Sequence, residues 1–118
     1  MNEAAASRKR RLLGRKKIRL LLAALAPYRP RQVYVFGSWA RSEDDELSDL
    51  DVVVIKETTT PFLERLQQVG RTLPPELGAV DLLIYTPSEF EAMLRGGNAF
   101  AETIIEEGCL IYGTPPQK

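Results

Sequence analysis

The feature that most constrains this chain is the run Leu50-Asp51-Val52-Val53-Val54-Ile55. It is too short for a helix with a core-facing stripe, and its unbroken series of β-branched side chains favours an extended backbone. The run therefore predicts a buried strand in which one carboxylate, Asp51, interrupts an otherwise apolar sequence. A charge set among apolar residues is unfavourable unless something pairs with it, so Asp51 needs a reason.

Other segments frame that strand. Val33-Tyr34-Val35-Phe36, closed by Gly37, predicts a second buried strand; Val80-Asp81-Leu82-Leu83-Ile84-Tyr85 a third; and Cys109-Leu110-Ile111-Tyr112 a short closing one. Ile18, Leu21, Leu22 and Leu25 follow the spacing of one helical face. They predict a helix that begins after a loose segment 1–7 and stops at Pro27 and Pro30. Thr60-Pro61 opens another helix with Phe62, Leu63, Leu66 and Val69 on its inner face. Thr86-Pro87-Ser88-Glu89 is a capping box for a third, Asn98 caps a last helix ending at Gly108, and Ser38 caps a short one through Arg41. Glu43-Asp44-Asp45-Glu46 reads as an acidic loop. Alternating strands and helices imply an α/β or α+β fold, a small mixed sheet with helices packed on it, with strand directions left open by the local pattern.

A chain of 118 residues with 44% hydrophobic content can build one core without disulfides and has no room for a second substrate-binding domain. Cys109 is the single cysteine and reads as a small buried hydrophobe. There is no histidine, so a metal site must be made of carboxylates, which suits a hard ion such as magnesium. The net charge of zero hides a segregation: eight basic residues between Arg8 and Arg19, set against Glu3, give the first nineteen residues +7. That run reads either as a solvated helix face or as an arm for nucleic acid or an acidic partner; it lacks the interleaved aromatics of single-strand readers. The basic run before Leu20–Ala26 is a poor signal peptide, because the apolar stretch is short and Pro27 follows the supposed cleavage point. No segment is long and apolar enough to span a membrane. The expected organisation is a basic arm and helix over residues 1–30, a catalytic unit over 31–113 and a tail over 114–118.

The chemistry is carried by Gly37-Ser38, then ten residues, then Asp49-Leu50-Asp51 entering the strand. Period-two alternation places Asp49 and Asp51 on one face. Two ionised carboxylates about 4 Å apart repel by roughly 1–4 kcal/mol, and a divalent cation resolves that repulsion. Gly37 permits close backbone approach to a phosphate, and Ser38 with the following turn offers donors to its charge. Asp81 supplies a third carboxylate that shares the metal or takes a proton from an attacking hydroxyl. Arg41 is read equally as a phosphate contact and as the partner of a nearby acid. Trp39 is read as packing rather than as a base-stacking platform.

Val35-Phe36-Gly37-Ser38-Trp39-Ala40-Arg41-Ser42 together with Ser48-Asp49-Leu50-Asp51-Val52-Val53-Val54 resembles the nucleotidyltransferase superfamily that includes DNA polymerase beta and kanamycin nucleotidyltransferase. More narrowly it is similar to the minimal nucleotidyltransferases of bacteria and archaea, from about Val33 to Gly113. The resemblance implies that Ser38 contacts a triphosphate and that Asp49, Asp51 and Asp81 hold two metal ions, Mg2+ or Mn2+. Arg41 matches an arginine common in the minimal group, whereas Ser42 stands where glycine is usual.

The function expected is transfer of a nucleoside monophosphate, AMP from ATP, to a hydroxyl in the cytoplasm. Minimal nucleotidyltransferases are commonly paired with a small helical HEPN-type partner protein in toxin–antitoxin systems, as an antitoxin that masks the partner or attaches AMP to it. The alternatives are a catalytically weak binding module and a nucleic-acid-associated protein using residues 8–19. A homo-oligomer is a further option for a chain this small.

Overall fold

The protein is described by a computed structural model covering residues 3–41 and 48–114. The acidic run Glu43–Glu46, Ser42 and most of the tail lie outside these residues. Among the described residues the order is α1 (Glu3–Leu13), α2 (Lys16–Leu25), a 3-10 turn (Ala26–Tyr28), β1 (Gln32–Phe36), β2 (Leu50–Ile55) and α3 (Phe62–Gly70). A second 3-10 turn (Pro75–Leu77), β3 (Val80–Tyr85), α4 (Pro87–Arg95), α5 (Ala99–Glu107) and β4 (Cys109–Tyr112) complete it. The sheet order is β3-β2-β1-β4, with β2 and β3 parallel and the other pairs antiparallel, a mixed sheet as expected.

Strand alternation divides the core in two. Val33, Val35, Val52, Val54, Ile84, Cys109 and Ile111 face one side, where they pack with Leu12 of α1 and Ile18, Leu21 and Leu25 of α2. Tyr34, Val53 and Ile55 face the other side and pack with Phe90 of α4 and Ala101 and Ile104 of α5. β2 is thus covered on both faces, which explains why its sequence is nearly continuous in apolar residues. Cys109 is buried in the first layer, and burial pushes its thiol pKa up, as befits a packing residue.

Three expectations are corrected. The amino-terminal helix starts at Glu3, not after residue 7, since Ala4-Ala5-Ala6 are strong helix formers and Glu3 lies in the first turn. The helical region is then two helices, because Arg15 adopts an extended conformation after Gly14. The described segment after Gly37, through Arg41, is a hydrogen-bonded turn rather than a helix capped by Ser38: the Arg41 amide donates to the Gly37 carbonyl at 3.2 Å.

On α3, Leu63 is 70% exposed and Arg65 is 5% exposed, the reverse of the expected inner face. Leu63 follows Phe62 by one step of about 100°, which carries it out of the stripe formed by Phe62, Leu66 and Val69, whereas position 65 stays beside it. Arg65 is tolerated there because it is fully engaged. Its Nε donates to the Thr60 carbonyl at 2.7 Å, and Nη1 donates to the Ile84 carbonyl at 3.1 Å. Nη1 and Nη2 grip Glu89 at 2.8 and 3.1 Å. Glu89 also accepts from the Thr86 amide while the Thr86 hydroxyl accepts from the Glu89 amide, completing the capping box read in the sequence.

Candidate active site

The carboxyl end of β1 and the amino ends of β2 and β3 meet at one edge of the sheet. In the β2–β3 register Asp51 lies directly opposite Asp81, and in the β1–β2 register it lies opposite Phe36. Parallel pairing therefore brings together two acids thirty positions apart, something no local pattern specifies. Asp51 and Asp81 share the parity of Val53, Ile55, Leu83 and Tyr85, so both belong to the α4–α5 face of the sheet.

Their side chains are in hydrogen-bonding contact, and the Asp51 carboxyl is held above the ordinary carboxylate pKa. Desolvation is the largest cause, followed by the hydrogen bond with Asp81 and the charges of Asp81 and Asp49; Arg41 opposes them. Asp49 lies in the segment leading into β2, exposed, and acts on Asp51 through its charge. Arg41 is also exposed, and its charge reaches the acid pair rather than being spent wholly elsewhere.

Gly37 has φ +73°, a left-handed conformation that side chains rarely adopt, and a Cβ built there would overlap Oδ2 of Asp51. The glycine thus makes room for the carboxylate as well as turning the chain out of β1. Gly37→Ala is expected to destabilise the protein by about 1–2 kcal/mol through backbone strain alone and also to displace Asp51. Thermal denaturation combined with a nucleotide-binding titration checks this; a variant equal to wild type in both would remove Gly37 from the site. Ser38 follows, half-buried in the turn.

The sequence-derived residues Gly37, Ser38, Arg41, Asp49, Asp51 and Asp81 accordingly gather at one end of the sheet, with Asp51 at their centre. Among the described residues no three acidic or cysteine side chains converge closely enough to form a complete metal cage. The donor set nevertheless suits a hard divalent cation: it consists of carboxylate oxygens, and the Asp51–Asp81 contact concentrates negative charge that Arg41 only partly offsets. Such ions commonly keep open positions for water and substrate oxygens, so two or three protein ligands suffice.

Residues 15–112 match the family model described as the nucleotidyltransferase domain. No curated protein matches the chain in sequence. Two solved structures share the fold. One, from Sulfolobus solfataricus, is described as a candidate nucleotidyltransferase; it is 20% identical with a TM-score of 0.59, over 96% of this chain and 90% of that one. The other is a toxin–antitoxin structure with AMP-PNP, 19% identical with a TM-score of 0.56, over 85% of this chain and 75% of that one. No helix among the described residues is long and apolar enough to cross a membrane.

Proposed function

Since the chain belongs to the nucleotidyltransferase domain family, we propose that it transfers AMP from ATP, with Mg2+ or Mn2+, to a hydroxyl on a partner protein. The observation that carries this reading is the Asp51–Asp81 pair seated against Gly37 at the adjoining ends of three strands. Asp49, Asp51 and Asp81 would hold the metal. A divalent cation bound there offsets the charge of the acids and the triphosphate and makes the α-phosphate more electrophilic.

The chain's own groups perform the rest. The turn after Gly37 presents backbone amides and the Ser38 hydroxyl to the triphosphate. Arg41 adds positive charge beside it. Asp81, more exposed than Asp51, accepts the proton of the attacking hydroxyl as its oxygen bonds to the α-phosphorus and pyrophosphate departs. Most of the rate gain on this reading comes from positioning and charge complementarity, since the protein forms no covalent bond to the nucleotide.

The toxin–antitoxin neighbour crystallised with AMP-PNP supports a place for this chain in such a pair; the resemblance to minimal nucleotidyltransferases implies a small helical HEPN-type protein as acceptor. Calorimetry is expected to show ATP binding with magnesium or manganese and none with chelator. Intact-mass spectrometry after co-expression with a small helical HEPN-type partner is expected to show that partner gaining one or more AMP units. A complex without a mass increase would favour a binding module that masks its partner. Equal ATP affinity with and without metal would sink the metal reading.

A further inference from the structure

We propose that Trp39 is a positioning residue that sets the spacing between the phosphate-binding turn and the acids, and that it joins the basic amino-terminal helices to that turn. Trp39 immediately follows Ser38, and Ser48 immediately precedes Asp49. The indole Nε1 of Trp39 donates to the Ser48 carbonyl at 3.2 Å. One hydrogen bond therefore ties the neighbour of one site residue to the neighbour of the other, across nine positions of sequence.

Trp39 is also held by the basic amino-terminal residues. Trp39 is 0% exposed. The Arg15 guanidinium lies 4.5 Å from the centre of its ring, and the Lys17 ammonium lies 6.0 Å away. Arg11 Nη2 donates to the Trp39 carbonyl at 2.6 Å. Three members of the basic run thus converge on one aromatic residue beside Ser38. Cation–π contact and a charge-assisted hydrogen bond hold better at a desolvated site than at an exposed one, so a tryptophan here is braced in both position and orientation. This role is additional to packing: filling the core requires an apolar ring, whereas reaching the Ser48 carbonyl requires the indole N–H.

Its nucleotide consequence rests on the function proposed above; its structural consequence does not. Trp39→Phe keeps a ring for Arg15 and removes the donor. Hydrogen exchange reads the two tied segments directly, through the Arg41 amide bonded to the Gly37 carbonyl and the Leu50 amide bonded to the Ala79 carbonyl. Both are expected to exchange about tenfold faster in the variant, the equivalent of one hydrogen bond, while the amides at the centre of β1 keep their wild-type rates. Mg-ATP affinity is expected to fall about tenfold in parallel. Uniform acceleration of all amides, or unchanged exchange at Arg41 and Leu50, would overturn the positioning role and leave Trp39 as packing alone. A wild-type protein that binds no Mg-ATP would instead overturn the nucleotide reading, and the exchange comparison would still decide the role of Trp39.

Discussion

Asp51→Asn is expected to abolish nucleotide transfer, by at least about a thousandfold, while making the metal-free protein more stable. The two effects have the same origin. Asp51 sits between apolar strand neighbours, touches Asp81 and feels Asp49, and these influences raise its pKa above the ordinary value of 3.8. An acid whose pKa is raised on folding binds its proton more tightly in the native state, so its contribution to stability is fully present below its unfolded pKa. It is lost as pH rises through the folded value. At neutral pH the ionised pair therefore opposes folding. The amide retains the volume and a hydrogen bond to Asp81 but carries no charge, and relief of the repulsion by about 1 kcal/mol corresponds to roughly 4 °C in a domain of this size. Added magnesium should stabilise the wild type more than the variant, because one of the three carboxylates that would attract the ion has lost its charge. Thermal melts at pH 7 with and without magnesium, beside a transfer assay, test both halves. A variant less stable than wild type without metal would show that Asp51 is a structural acid, and undiminished transfer would remove it from the chemistry.

Arg65→Ala is expected to produce the largest loss of stability of any single change considered, about 3 kcal/mol. Arg65 is 5% exposed, whereas the Glu89 side chain it grips is 42% exposed. Solvent therefore screens part of the pair, and the expected loss lies at the lower end of the range for buried pairs. The remainder comes from the Thr60 and Ile84 carbonyls, which lose a charged donor in a desolvated place. The pH dependence follows with its sign. The Arg65 hydrogen bond holds the Glu89 carboxyl below its ordinary pKa of 4.5, so this stabilisation is present above that value and disappears as pH falls through the lower, folded one. The gap in stability between wild type and Arg65→Ala should accordingly narrow on acidification from pH 7. Denaturant titrations at a series of pH values check it, and a constant gap would show that the arginine acts through packing and the carbonyls alone.

The arginine also marks the limit of what local sequence determines. The stripe on α3 is legible from spacing, but which flank of it is buried depends on what the helix packs against. Leu63 and Arg65 therefore exchanged the places that hydrophobicity alone would assign them. Glu89 was legible as a capping residue, because capping is a local pattern of four residues, but its second role in receiving Arg65 is not local. The basic run shows the same limit. Its charge segregation is plain in the sequence, yet nothing there distinguishes the residues that brace Trp39 from those on the open face of α1.

Strands, helix caps and the Gly37-Ser38 to Asp49-Leu50-Asp51 unit are set by short-range rules, by alternation, backbone freedom and hydrogen-bond reach within a few residues, and those the sequence determined by itself. The pairing of Asp51 with Asp81 required β2 and β3 to lie parallel and in register, a choice made by the packing of the crossover through α3. The space for the Asp51 carboxylate required Gly37 to arrive from β1, and the contact of Trp39 with Arg15 required α2's leading end to pack beside the turn. Those were decided only by the tertiary structure, because each joins residues whose separation along the chain carries no energetic information until the sheet has formed.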